Sequence, residues 1–301
     1  MSNTFSSSLV VDTATKQTIT VLQAKLAALK NFATDFSSDV VDPLRKLQVG
    51  VATSANAVVS SPTSFESSGT TLTNSPVTMT HYSSQFQLSS QQINQGFRLE
   101  QIMKVQLRAL ANAIMDAALA PINTTTFGAP TYSSAITVAS GGVLGNSLIT
   151  TALPALWAAL ENGTEKHLIL DGSYYSYLLP QSGFSIDQDA KGAYGFDSVS
   201  YNNRWNGITG GSDSNLNGTT HTIKGFVASP EALAMAAAIP YVDPSVQNLL
   251  EVSEVIEVPD LGININFNVW GSLASRSLSA SFDVAFGSAA ADGSALKTIV
   301  L

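Results

Sequence analysis

The sequence predicts an α+β fold, and three stretches carry that prediction. Residues 97–120 place Leu99, Met103, Leu107, Leu110 and Ile114 on one helical stripe, with Arg98, Gln101 and Arg108 off it. Residues 263–286 change to strand periodicity: Ile263, Ile265, Phe267 and Val269 alternate with Asn264, Asn266 and Asn268, and Leu278, Ala280, Phe282, Val284 and Phe286 repeat the pattern after a turn near Gly271. Between them lies a mixed block of short apolar runs broken by Gly, Pro and Asn-Gly pairs.

Taken in order, residues 1–20 are rich in Ser and Thr and poor in large apolar groups, which predicts a mobile N-terminal arm. Residues 21–35 carry Leu22, Leu26, Leu29 and Phe32 at helical spacing and predict a short amphipathic helix, broken after it by Asp42-Pro43. Residues 50–97 hold no Lys or Arg and a single acid, Glu66. Their flanks, 49–59 and 77–88, are β-branched and aromatic, so two strands are expected, joined by an irregular tip around Pro62, Gly69 and Pro76. A dozen residues at ~3.3 Å each would make an arm of roughly 40 Å. Val77 and Met79 fall on one face of the second strand, and Tyr82, Phe86 and Leu88 on the other. A hairpin half-apolar on both faces has no core of its own and is expected to rest on a neighbouring subunit. The helix at 97–120, counted from a cap at Ser90, would reach about 45 Å and end at Pro121.

Residues 121–146 read as turns punctuated by Gly128, Pro130, Gly141 and Gly142. A helix over 148–160 with Pro154 at its first turn, closed by Asn162-Gly163, leads to a buried strand at 167–170, a cap at Asp171 and a helical turn at 173–179. Loops with Asn206-Gly207 and Asn217-Gly218 fill 181–225, bracketed by strands at 196–201 and 223–228. Ser229-Pro230-Glu231 predicts the start of a small Ala-rich helix through Ala238, and Asp243-Pro244 ends that region. The closing strands are expected to form an antiparallel pair with one wet face.

Composition narrows function. Charged residues are 12% of the 301, about half the usual quarter, while hydrophobic residues are 45%. Such a surface is weakly solvated alone, which favours an oligomer. A net charge of -8 with 14 basic residues argues against gripping nucleic acid through its phosphates. With no cysteine, disulfide frameworks, zinc ribbons and thiol catalysis are excluded. Residues 1–17 show no basic and apolar signal pattern, so cytoplasmic synthesis is expected; the Asn-x-Thr sequons at Asn123, Asn162 and Asn217 then carry little weight. The most apolar run, 232–239, is far too short to span a bilayer.

No catalytic, cofactor-binding or metal residue is nominated. His81, His167 and His221 stand in separate segments without a second ligand at helical spacing, so structural roles are expected. No Ser sits in a Gly-x-Ser-x-Gly elbow. Asp187, Asp189 and Asp213 lack the later Gly and Glu of a calcium loop, and Gly141, Gly142 and Gly145 lack the Lys of a phosphate loop. Glu251, Glu254 and Glu257 recur every three residues as an acidic strand edge or helix face.

The order of parts resembles the tailed-phage major capsid family, whose fold is named after phage Hong Kong ninety-seven. LITTALPALWAALENGTEKHLILDGSYYSYLL is similar to the start of that family's axial domain, IKGFVASPEALAMA to a strand and small helix within it, and NFNVWGSLASRSLSASFDVAFGSA to its C-terminal return. The resemblance implies an N-terminal arm at 1–49, an extended hairpin loop at 50–89, a peripheral domain with the spine helix at 90–140 and 241–301, and an axial domain at 141–240. It also implies hexamers and pentamers in an icosahedral virion shell around double-stranded DNA, assembled in the host cytoplasm, with portal, scaffold or decoration proteins as further partners. Some members crosslink a Lys to an Asn, but this hairpin has no Lys. The alternatives are an encapsulin-type nanocompartment shell, with the same fold, and a secreted β-rich binding module.

Overall fold

The computed structural model describes residues 7–44, 46–52, 72–88, 96–123, 126–127, 165, 167–171, 198–202, 223–272 and 277–300. Helices and strands mix as an α+β chain requires. Helix α1 (Ser7–Leu26) is followed by a 3-10 turn, Ala27–Asn31, and the short strand β1 (Ala33–Asp35). Leu22, Leu26, Leu29 and Phe32 are all fully buried, but the helix expected over 21–35 is corrected: it ends at Leu26, tightens into the 3-10 turn and gives way to a strand at 33–35. The expected mobile arm is corrected: from Ser7 onward it is helical, and Val10 and Ala14 are buried with Leu22. Small residues on that stripe let α1 lie close against its neighbour, which is why no large apolar signal marks it.

Helix α2 (Gly96–Leu119) carries the predicted stripe, and Leu99, Met103, Leu107, Leu110 and Ile114 are all buried. Its 24 residues span about 36 Å at 1.5 Å each. The proposed cap at Ser90 lies outside the described residues.

Both helices pack on one face of a six-stranded sheet, with strand order β1-β8-β11-β10-β9 and β4 also paired to β11. The strands are β4 (Thr80–Leu88), β8 (Leu233–Ala238), β9 (Val252–Val258), β10 (Ile263–Ser272) and β11 (Ser277–Ala290). β10 and β11 form the predicted antiparallel pair, from Asn266↔Asp283 to Ser272↔Ser277. Their helix-facing stripe, with Ile265, Phe267, Phe282 and Val284, is fully buried. Phe282 lies 4.9 Å from Phe267 and 5.7 Å from Phe86, ring centre to ring centre.

Two expectations fail here. The Ala-rich helix through Ala238 is instead a 3-10 turn, Pro230–Ala232, followed by strand β8. β8 is parallel to β1 and antiparallel to β11, and tertiary pairing on both edges overrides the helix propensity of Ala. The expected partner of the first hairpin strand is also wrong. β2 (Leu47–Ala52) pairs with β3 (Leu72–Val77), so Pro76 sits in a strand opposite Gln48 and not in the tip. Residues 80–88 cross to β11 instead, from Phe286↔Thr80 to Leu278↔Leu88. The crossing needs Gly287, since a Cβ there would collide with the Thr78 carbonyl oxygen.

A second sheet has the order β12-β7-β5-β6, built from β5 (His167–Asp171), β6 (Ser198–Asn202), β7 (Ile223–Ala228) and β12 (Leu296–Val300). β7 has the predicted bounds, and Asp171, expected as a cap, is the last residue of β5. Phe226 of β7 meets Phe32 edge-on at 5.3 Å, which joins this sheet to the main core. β8 thus belongs to the first sheet and β12 to the second. The readings at Pro154, Asn162-Gly163, 173–179, Asn206 and Asn217 lie outside the described residues.

Candidate functional site

The sheet face opposite the helices was expected to be wet, and that expectation is corrected. Asn266, Asn268, Ser281 and Asp283 point to it, yet each is buried. Alternation along β10 and β11 puts small polar residues there, and the register lines them up across the sheet. Ser253 of β9 donates its hydroxyl to Asn268 Oδ1 at 2.8 Å. Asn268 Nδ2 donates to Asp283 Oδ2 at 3.0 Å, and the Ser281 hydroxyl donates to the same oxygen. His81 of β4 closes the row, its Nε2 lying 3.2 Å from Asp283 Oδ1. Buried polar groups cost stability unless paired, and here they are paired with one another.

This arrangement ties four strands together. Ser281 and His81 each meet the Asp283 carboxylate and not one another, so the geometry does not align a hydroxyl nucleophile with an imidazole base. His167 is buried at the start of β5 with its Nε2 3.2 Å from the exposed Glu165 carboxylate. Glu254 and Glu257 lie along β9, an outer strand of the first sheet, and Glu251 just precedes it. That resolves the strand-or-helix choice for these acids in favour of a strand edge. Among the described residues no three His, Asp or Glu converge as metal ligands. His221, Asp187, Asp189, Asp213 and the glycines at 141, 142 and 145 lie outside the described residues. Asn123 accepts from the Thr126 amide at 2.8 Å and donates to the Pro121 carbonyl at 3.1 Å, so its amide shapes the turn after α2. No described helix is long and apolar enough to cross a membrane.

The paired hairpin β2–β3 is the second feature of interest. Val49 and Val77 are buried against Ala234 and Ala236 of β8, so the base of the hairpin is anchored in its own chain. The pair Ala52↔Leu72 is its last described rung, and residues 53–71 lie outside the described residues. The idea that the whole hairpin lacks a core in its own subunit is therefore corrected for its base and for β4. The sequence missed the polar tie because a side chain's partner across a sheet depends on register, which alternation alone does not set.

No protein-family model matches the sequence, and no curated protein matches it. Solved structures do match, over most of their length. A virus-like particle from Pyrococcus furiosus aligns with a TM-score of 0.51 at 10% identity, covering 94% of this chain and 98% of that one. The capsid of the cyanophage P-SCSP1u aligns with a TM-score of 0.51 at 13% identity, covering 85% and 83%. The mature capsid of bacteriophage PhiM1 aligns with a TM-score of 0.50 at 9% identity, covering 90% and 85%. With its long helix lying on the main sheet and its second sheet joined through a shared core, the chain has the fold of tailed-phage major capsid proteins.

Proposed function

We propose that the chain is a major capsid protein: a structural, non-catalytic subunit that assembles into hexamers and pentamers of an icosahedral head enclosing viral double-stranded DNA. The observation that carries this reading is the likeness to capsid chains over most of their length, with 83% and 85% of the two phage chains covered, so the match is not confined to a short shared fragment. Low charge and the exposed apolar side chains of Val41, Leu44, Tyr241 and Leu249 support a surface that partners cover. The acid balance of -8 suits a lining that repels packaged DNA.

In this reading the first sheet with α1 and α2 forms the peripheral domain, the second sheet belongs to the axial domain, and the hairpin beyond Ala52 and Leu72 reaches over a neighbour. Portal, scaffold and decoration proteins are its further partners, and the virion, assembled in the host cytoplasm, is its location. An encapsulin-type shell is the second reading, favoured by the alignment over 98% of the Pyrococcus furiosus particle chain. Electron microscopy of the purified chain tests both: closed icosahedral particles are expected, and a monomer at every concentration overturns both. Particles from phage-infected cells that protect DNA from nuclease support the capsid, whereas particles that hold a protein cargo and no DNA support the second reading.

A further inference from the structure

β11 shares one of its edges between two strands, β10 along residues 277–283 and β8 along residues 285–290. β4 alone takes its other edge, over 278–286, so β4 is outermost on that side, with β9 and the short β1 outermost on the opposite one. An antiparallel strand turns the N–H and C=O of every second residue away from its partner. Among the described residues, these outward groups of β4 and β9 meet the backbone of no further strand.

The two edges differ in protection. Natural edge strands are blunted by charge, Pro or a bulge, because an open neutral edge recruits another strand. β9 carries Glu254 and Glu257, both exposed, with exposed Glu251 just before it. β4 has nine residues with no acid, Lys, Arg or Pro among them, and its register with β11 runs unbroken over all nine pairs. Phe86 holds it in the core, and the Ser84 hydroxyl donates to Gln106 Oε1 of α2 at 2.9 Å. β4 is therefore an edge that is long, fixed in place and unguarded.

We propose that β4 accepts the β9 edge of a second copy, so that the sheet runs on from one subunit into the next. Three features choose that occupant. β9 against β9 would set Glu254 and Glu257 beside their own kind, whereas β4 offers them no acid. β4 against β4 is a two-fold contact that ends at a pair, while a ring needs a head-to-tail contact between two different surfaces. Direction fits as well: the pairs β4–β11, β11–β10 and β10–β9 are all antiparallel, so β4 and β9 run oppositely, and a copy set in line brings β9 antiparallel to β4. The proposal rests on the shell reading and adds to it which strands join subunits.

Gln85 and Gln87 are exposed on the polar face of the sheet, and Val255 and Glu257, opposite Asn266 and Asn264, are exposed on the same face. Charge at these positions therefore reads the partner. The Gln85→Glu/Gln87→Glu chain is expected to lose roughly tenfold in particle yield with its circular dichroism unchanged, whereas Gln85→Lys/Gln87→Lys assembles as well as wild type. Adding Glu257→Lys to the first of these is expected to restore its particles. The chain has no cysteine, which gives a second assay that decides where a charged variant does not fold. Full-length Ser83→Cys, Gln85→Cys and Gln87→Cys chains are each mixed with Val255→Cys, assembled and mildly oxidised. One of the three is expected to give a disulfide-linked dimer well above a Val105→Cys control on the exposed side of α2. Normal yield from the Glu chain, equal losses from the Glu and Lys chains, or cross-links no stronger than the control in wild-type-like particles overturn the proposal and leave the shell reading standing. A wild-type chain that stays monomeric overturns both.

Discussion

Phe282→Ala probes the centre of the molecule. Phe282 is fully buried on β11, with Phe267 of β10 directly opposite in register and Phe86 of β4 stacked on its other side. Truncation removes a buried ring that no neighbour can replace, since both flanking side chains are held in strands. Losing such a ring costs about 3–5 kcal/mol, and each aromatic pair adds about 0.5–1.5 kcal/mol beyond burial. The expected total of roughly 4–8 kcal/mol is a large share of the ~5–15 kcal/mol by which a folded chain is stable. Urea unfolding of the dissociated subunit is the assay, because assembly would add stability by mass action. At an unfolding slope near ~3 kcal/mol per molar, the midpoint falls by roughly 1–3 M with the slope unchanged. A fall below about 0.3 M would mean that the three strands do not share one core at Phe282, and the reasoning would fail.

Leu107→Asp buries an unpaired charge beneath α2 and is expected to cost more than about 3 kcal/mol; an unchanged thermal midpoint refutes the docking of that stripe. Replacing residues 53–71 by an Asn-Gly turn joining Ala52 to Leu72 is expected to leave a folded subunit that no longer closes shells, as seen by circular dichroism and electron microscopy, and normal particles would show that the arm is dispensable. The Thr18 hydroxyl is buried on α1 without a hydrogen-bond partner, so Thr18→Val is expected to raise stability by about 1 kcal/mol; a destabilised variant in urea unfolding counts against that placement. The Asp243 carboxyl is held below the ordinary carboxylate range by the Ser245 hydroxyl and amide. Its contribution to the turn is thus present above the unfolded value and lost as pH falls through the lowered folded one. Ser245→Ala should move its titration upward by NMR, and an unmoved midpoint sinks the cap.

The α2 stripe and the β10–β11 alternation were legible because each repeats a strong period over many residues. β8 was not, because its Ala run carries no β signal and only pairing between β1 and β11 makes it a strand. α1 was missed where its buried positions are small, Ala14 and Thr18 among them. β4 was recognised as a strand but given the wrong neighbour, since alternation says which face is apolar and not which strand lies beside it. The polar tie followed the same rule, since Asp283 meets His81 only through the pairing of β4 with β11.

β11 hydrogen-bonds along its length to β4, β8 and β10, strands that the ribosome makes earlier and that lie far apart in sequence. Until residues 277–290 emerge, none of those strands has this partner, and α1 and α2 have no complete sheet to lie on. Folding dominated by such distant pairings is slow and leaves strand edges open meanwhile. The first sheet therefore closes only after β11 has been made, and until then the edges of β4, β8 and β10 that it will cover stay open to wrong partners.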